Sequence, residues 1–298
     1  MRIATNSVSE GIVRQIQLLS SQQAKLQTEV STGQTINQPE DAPAMVGRVL
    51  NQQSELRQIT QYGNNASTAL EIAQASASGL QSVKAISDRA GELVTLGTGV
   101  LGAGASQSYA TETNQLIEQA VQDANSQLNG NYLFAGTASA SPPIVATRDA
   151  NGQITSVSYA GNAAQAAIPL SEATSVTPST TGTTNSGLAD FINNLISLRN
   201  ALTSGDTAAV SATQPGLTTS ENLLVSAIAD NGGVQTRVEA SQTDQSNRTT
   251  AVNQLISSET SADMPSTIVQ LNQTQVAYQA ALQSAANIMK LSLLNYIQ

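Results

Sequence analysis

Cysteine, histidine and tryptophan are all missing from the 298 residues, and phenylalanine occurs only twice. Without Cys there can be no disulfide, no thiolate metal site and no thiol nucleophile. Without His, Ser-His-Asp and Cys-His nucleophile arrangements are excluded, as are His-ligated metal centres. The remaining catalytic options are a carboxylate pair or one of three lysines, Lys25, Lys84 and Lys290. Aromatic residues make up 3% of the chain although 40% of it is hydrophobic. A thick globular core leans on aromatic rings for buried area. A supply of Ala, Leu, Ile and Val diluted by Gln, Asn, Ser and Thr suits long, thin helical packing instead.

Basic charge is also scarce, with 12 Lys and Arg against 21 Asp and Glu. Residues 1–34 and 264–298 each carry +1, which leaves −11 for the middle of a chain whose total is −9. An acidic middle argues against a nucleic-acid partner. Nearly uncharged ends can pack beside identical ends without strong repulsion. No run approaches the roughly 18 apolar residues of a membrane span, so no membrane partner is expected. The start, Met1-Arg2-Ile3-Ala4-Thr5-Asn6-Ser7, lacks the apolar stretch of a secretory signal peptide. Composition alone would make the protein cytoplasmic, unless export follows a route that reads no cleavable signal.

What is present is helical periodicity. Ile12, Ile16, Leu19, Gln23, Leu26 and Val30 step by four and three as a heptad seam that ends at Gly33. The stretch from Gln34 to Pro43 reads as a structured loop, with Glu40-Asp41 at a helix start rather than as a catalytic carboxylate pair. A long helix is expected from about Ala44 to Leu96 with one apolar stripe. Gly97-Thr98-Gly99-Val100-Leu101-Gly102 matches a dinucleotide fingerprint formally, but a helical pattern rather than a strand precedes it, so it reads as an interhelical loop.

A helix is expected from about Ser108 to Leu128, closed by Gly130 as its C′ residue. Tyr132-Leu133-Phe134-Ala135-Gly136 reads as a strand. Asn151-Gly152, between the apolar runs at Ile144-Val145 and Ile154 to Tyr159, reads as a hairpin turn rather than a calcium loop. Residues 171–187 read as a mobile Ser/Thr-rich loop. Helices resume at Leu188 to Leu202, stop near Gly205, and run again from Ala208 until Gly232-Gly233 breaks the chain. A polar seam follows from Val234 to Glu259. After a break at Met264-Pro265, the last seam is expected to run Ile268, Leu271, Gln275, Tyr278, Leu282, Ala285, Met289, Leu293. Both terminal seams carry Gln or Ala at core positions. They read either as a coiled coil within the chain or as stripes completed by neighbouring subunits.

Ser31-Thr32-Gly33-Gln34-Thr35-Ile36-Asn37, followed by Pro39-Glu40-Asp41, resembles the flagellin-family signature. Within that family, Met1-Arg2-Ile3, Gly130-Asn131-Tyr132-Leu133-Phe134-Ala135-Gly136-Thr137 and Leu291-Ser292-Leu293-Leu294-Asn295-Tyr296-Ile297 are similar to hook–filament junction proteins. The motif positions are Gly33, Ile36, Asn37, Pro39, Asp41, Tyr132, Phe134 and Gly136. The resemblance covers roughly residues 1–140 and 188–298.

It implies a mainly α fold with a small β insert: an elongated flagellin-like helical bundle with N- and C-terminal coiled-coil helices and a β-hairpin-containing outer domain. The expected parts are an N-terminal assembly helix and loop (1–43), two halves of a bundle (44–130 and 188–263), an outer insert (131–187) and a C-terminal assembly helix (264–298). The expected assembly residues are Ile12, Ile16, Leu19, Leu26, Val30, Ile268, Leu271, Tyr278, Leu282, Met289 and Leu293. The resemblance further implies no enzymatic activity and no cofactor or metal. It implies export to the flagellum without a cleavable signal. The implied partners are hook-associated protein 1, flagellin, further copies in a closed ring layer, and an export chaperone on the C-terminal helix. Filament flagellin is the alternative role.

Overall fold

The first seam of the sequence becomes the first helix, α1 (Arg2–Thr32), and it stops where the chain needs a left-handed residue, Gly33 at φ +70°. A computed structural model describes the backbone of residues 2–38, 40–99 and 102–297, and the side-chain surroundings of residues 10–38, 40–99, 102 and 104–288. Pro39, Met289 and Leu293, and Val100 and Leu101 of the formal fingerprint, lie outside the described side chains. Five further helices follow: α2 (Pro43–Gly97), α3 (Ala103–Ala124), α4 (Gly182–Ser204), α5 (Thr207–Thr260) and α6 (Met264–Ile297). Six short strands, β1 (Gln127–Leu128), β2 (Asn131–Tyr132), β3 (Ile144–Arg148), β4 (Ile154–Tyr159), β5 (Ile168–Pro169) and β6 (Ser175–Val176), pair as three antiparallel hairpins between α3 and α4.

Local chemistry sets the ends of these helices. Pro43 opens α2, where a missing N–H does no harm. Thr181 caps α4 by accepting from the Thr184 N–H. Gly205, at φ +68°, closes the same helix with its N–H on the Leu202 carbonyl, while Asp206 N–H reaches Ala201. The Asp206 side chain then accepts from the N–H groups of Ala208 and Ala209 at 3.0 Å each and starts α5.

The contacts divide the chain into two compact units, residues 1–57 with 249–298, and residues 58–248. In the first unit α1 packs along α6. In the second, the covered side of α2 runs through Ala66, Ala69, Ala73, Ser76, Leu80, Val83, Ser87, Ala90, Val94 and Gly97 in alternating steps of three and four, with Ile59 one heptad before them. The main core joins this stripe to α3, α4, the start of α5 and the β3–β4 hairpin, with Phe134 and Phe191 as its largest fully buried side chains. A second, smaller core holds Ala66, Ala69, Leu170, Val176 and Val238. Here the β5–β6 hairpin lies on α2 and α5. Asn65 donates to the Pro169 carbonyl at 2.9 Å, and Gln245 to the Leu170 carbonyl at 2.9 Å.

The expected Asn-Gly turn forms between β3 and β4: Gly152 sits at φ +81°, and Asp149 Oδ1 accepts from the N–H groups of Asn151 and Gln153. Both edges of this hairpin are met by asparagine side chains that imitate a strand. Asn125 both accepts from Ile144 N–H and donates to its carbonyl, at 2.9 Å each. Asn193 does the same for Val157, at 3.0 Å each. Arg148 grips Glu118 of α3 with two bonds of 2.6 and 2.7 Å.

Several expectations are corrected. Helix α3 ends at Ala124 rather than Leu128, because residues 127–132 turn back as β1 and β2. Asn129 at φ 51° and Gly130 at φ 82° make that tight turn, so Gly130 is a hairpin residue, not a helix C′ residue. Residues 133–137 are a turn rather than a strand, since Leu133, Phe134 and Ala135 are drawn one after another into the core. Residues 171–187 hold β6 and the first turns of α4. Gly232-Gly233 does not break the chain, and α5 continues through both residues.

Arg199 of α4 is 3% exposed, and no ion pair to it is found among the described residues. Its guanidinium donates to the Ile154 carbonyl at 2.7 Å, to Asn114 Oδ1 at 3.1 Å, and to Asn200 Oδ1. One side chain thereby ties α3, α4 and β4 together, and burial pushes its pKa down from the usual arginine value. Arg199→Met would keep the packing of the stem but leave buried acceptors without donors. A loss of about 2 kcal/mol is expected in urea unfolding. A change under about 0.5 kcal/mol, the range of ordinary surface substitutions, would show that these bonds do not hold the hairpin.

Candidate functional site

The two ends of the chain meet through a loop that the sequence singled out. After Gly33 the backbone crosses to the α5–α6 junction and pairs with it: Ala262 N–H donates to the Gly33 carbonyl at 2.9 Å, and Thr35 N–H to the Thr260 carbonyl at 2.8 Å. Gln34 and Ser261 form an isolated antiparallel bridge. Thr35 adds its hydroxyl to the Thr260 carbonyl, a contact between residues 225 positions apart in sequence.

Within the loop, Asn37 donates its side-chain amide to the Gln34 carbonyl at 2.9 Å. Asp41 Oδ2 accepts the N–H groups of Asn37 and Gln38 at 3.0 Å each. Asp41 Oδ1 meets Lys25 of α1 at 2.9 Å. The bond from Lys25, then the two backbone N–H groups, hold the Asp41 carboxyl down to about 2. Arg48 closes the unit from the other side with Glu259 at 2.8 Å. Gly33, Asn37 and Asp41 therefore act together, with Ile36 half-buried in the same loop.

The second motif lies in the other unit. Tyr132 N–H reaches the Ser139 carbonyl, and Leu133 N–H the Ser126 carbonyl, which bends the chain so that the Phe134 ring enters the core. A side chain at Gly79 of α2 would stand 2.9 Å from that ring, so this glycine is the seat of Phe134. Gly136, at φ +68°, lies against the Asn162 carbonyl and leaves no room for a Cβ. Asn162 accepts from Thr137 N–H and Ala164 N–H and locks the turn. Gly79 and Asn162 carry no sequence signal of this role, because the residues they position, Phe134 and Thr137, lie far from them in sequence.

Along α1, the expected seam positions Ile12, Ile16, Leu19 and Val30 are half-buried and Leu26 is buried, and α6 of the same chain is the helix packed there. On α6 the covered residues include Met264, Thr267, Leu271, Thr274, Tyr278, Ala281, Ala285 and Ile288. These form a heptad in a frame that shares Leu271, Tyr278 and Ala285 with the expected one, whose Gln275 is half-buried as well. Thr and Ala turn inward in place of Ile268 and Leu282, each of which is 43% exposed. Small side chains let two helices approach closely, which accounts for the choice of frame. The outward side of α6 also carries Val269 and Val276, the latter 66% exposed, and α1 exposes Val13 and Leu18. Among the described residues, no three acidic residues gather in a way that could hold a metal ion, and no helix is long and apolar enough to cross a membrane.

Residues 3–139 match the bacterial flagellin N-terminal helical region. These residues, just under half of the chain, are flagellin-like. The fold agrees with a solved flagellar hook-associated protein from Vibrio parahaemolyticus at a TM-score of 0.66 and 17% identity, covering 74% of this chain and 100% of that one. Bacillus cereus FlgL agrees at 0.59 and 18%, over 70% and 99% of the two chains. The flagellar junction protein FlgL from Legionella pneumophila agrees at 0.54 and 12%, over 71% and 100%. At these identities the likeness is one of fold. No match was found among curated protein sequences. In flagellin-like terms, the clamp at Gly33–Ala262 and the Phe134 turn are the two places where the motif residues act on structure.

The Asp41 pKa is lowered, so the loop favours the ionised carboxylate. Its contribution is complete above the ordinary value of 3.8 and is lost as pH falls from there to about 2. The amide resonances of Asn37 and Gln38 should therefore titrate with a midpoint near 2, and Asp41→Asn should abolish the transition. A midpoint near 4 would mean that Asp41 does not hold the loop.

Proposed function

We propose that this chain is a non-enzymatic structural adaptor of the bacterial flagellum that joins the hook to the flagellin filament. The fold likeness supports the reading most, since it spans the full length of proteins described as flagellar hook-associated or junction proteins. The flagellin N-terminal helical region over residues 3–139 supports it independently from sequence. In this reading the hook-side partner is hook-associated protein 1 and the filament-side partner is flagellin. Copies of the chain form a closed ring layer, and an export chaperone holds the C-terminal helix before secretion through the flagellar apparatus.

The proposed assembly segments are residues 1–43 and 264–298, with 131–187 as the outer insert between the two halves of the bundle. An adaptor must bind unlike neighbours at its two ends, so its interfaces are heterologous and its growth must stop after a limited layer. The apolar residues left exposed on α6, Ile268, Val269, Val276 and Leu282, supply surface for such contacts without disturbing the α1–α6 pairing. Ile12, Ile16, Leu19, Leu26, Val30, Leu271 and Tyr278 serve the same assembly by keeping the paired helices in register, and Met289 and Leu293 extend the C-terminal segment.

Cells lacking the protein should build hooks but shed flagellin into the medium, and purified protein added to those hooks should restore filament attachment. Leu282→Asp should fold and melt like the parent, because its side chain is already partly in water, yet fail to restore attachment. Alone, the protein should form no long filaments at moderate salt. Fibres that lengthen with time would move the assignment to filament flagellin, and normal filaments in the deletion strain would sink the junction role.

A further inference from the structure

Gly232-Gly233 reads as a chain break, yet the pair, with Asp230-Asn231 before it, lies inside α5. Four residues in a row from the weak end of the helix scale make this an unfavourable stretch of a 54-residue helix, second to Pro215-Gly216 near its start. Packing does not ask for the glycines. Both are exposed, neither has a positive φ, and a Cβ at either would meet nothing within 4 Å. Gly11, Gly47, Gly91 and Gly104 also stand in open space but singly, whereas four other helical glycines have a steric reason. A Cβ would press on Phe134 at Gly79, Leu202 at Gly97, Leu223 at Gly187 and Asn194 at Gly216, all at 2.7–2.9 Å. A local rule broken with no packing gain marks a place where the chain needs something other than stability.

The surroundings of the two glycines agree with each other. The main core of residues 58–248 reaches α5 as far as Ala227 and Ile228, and the smaller core resumes at Val234 and Val238. On α2 the smaller core ends at Leu70 and the main core begins at Ala75. Ala73 lies between them, fully buried but in neither core, and just past Ala75 the fully buried Ser76 hydroxyl has no hydrogen-bond partner. A cavity of about 200 Å³ opens at the same level of α5, lined by Asp230, Asn231, Val234, Thr177 and Ser179. The Ser179 hydroxyl is also buried without a partner. Two packing blocks thus meet at a level where the helix is weak, apolar contact is interrupted, polar atoms are unsatisfied and free volume is available.

We propose that Gly232-Gly233 is a hinge in α5, about which the block holding the β5–β6 hairpin opens and shifts independently of the main core. Close-packed blocks move as units, so motion concentrates where packing between them lapses. Residues 231–236 would unwind transiently into the adjoining cavity, while the helix on either side keeps its contacts. The inference concerns the fold of residues 58–248 and stands whether or not the junction role does.

Native-state hydrogen exchange of the full chain tests this, on the parent and on the double variant Gly232→Ala, Gly233→Ala. The added methyl groups point into open space at negative φ, so the variant should fold, and its thermal melting should be no lower than that of the parent. In the parent, amides of 231–236 should exchange at least tenfold faster than those of 217–228 and 238–247. In the variant that excess should fall by about tenfold, with the amides of 188–202 unchanged. Uniformly slow exchange across 217–247 in the parent would overturn the hinge. Fast exchange at 231–236 that the alanines leave unaltered would overturn it equally, since the glycines would not be its source.

Discussion

With no Trp and two Phe in 298 residues, the chain cannot fill space between helices with large rings, so helix backbones must come close to one another. Nearly every other feature follows from that constraint. Ala66, Ala69, Ala73 and Ala90 of α2 are fully buried, and Gly97, Gly187 and Gly216 each receive a neighbouring side chain where a Cβ would stand. The same constraint chooses the register of α6, where Thr267, Thr274 and Ala281 face inward and the larger Ile268 and Leu282 do not. Close approach gains dispersion contacts over the whole length of a helix pair, each small and collectively large.

Thin packing leaves little apolar area to fix the connections, and polar side chains take over that task. Asn125 and Asn193 complete the edges of the β3–β4 hairpin, Arg199 gathers α3, α4 and β4, and Asn162 locks the turn that delivers Phe134. In the unit formed by the chain ends, Asp41 and Lys25 secure the loop whose backbone pairs with residues 260–262. Arg199 is buried, and Asn125, Asn193 and Asp41 are partly buried with their bonds made, so each specifies one arrangement at modest net gain.

Much of this was legible in sequence where the signal is local. The α1 seam, the α2 stripe, the Asn151-Gly152 turn and the Gly205 stop depend on periodicity or on a single backbone conformation, and the structure has all four. The α6 frame was not legible, because two heptads share Leu271, Tyr278 and Ala285. The choice between them rests on how near α1 comes, which periodicity does not encode. The residue types of the Tyr132–Gly136 motif are legible but its form is not, since burial of three successive residues requires a turn and the strand pattern looks the same. Gly232-Gly233 was read by propensity alone, and the helix on both sides of it overrides propensity. Of the motif loop, the residue types were visible, but not the pairing of Gly33 and Thr35 with residues more than 220 positions away.

The outward apolar residues of α6 and the fold likeness support the proposal that this chain works by being built into a larger helical structure. The most direct measurement of that claim is immunogold labelling of isolated flagella with antibody to this protein. The account predicts label confined to one narrow band where the hook meets the filament. Label spread along the filament would identify a filament subunit instead, and flagella with no label would contradict a place in the structure at all.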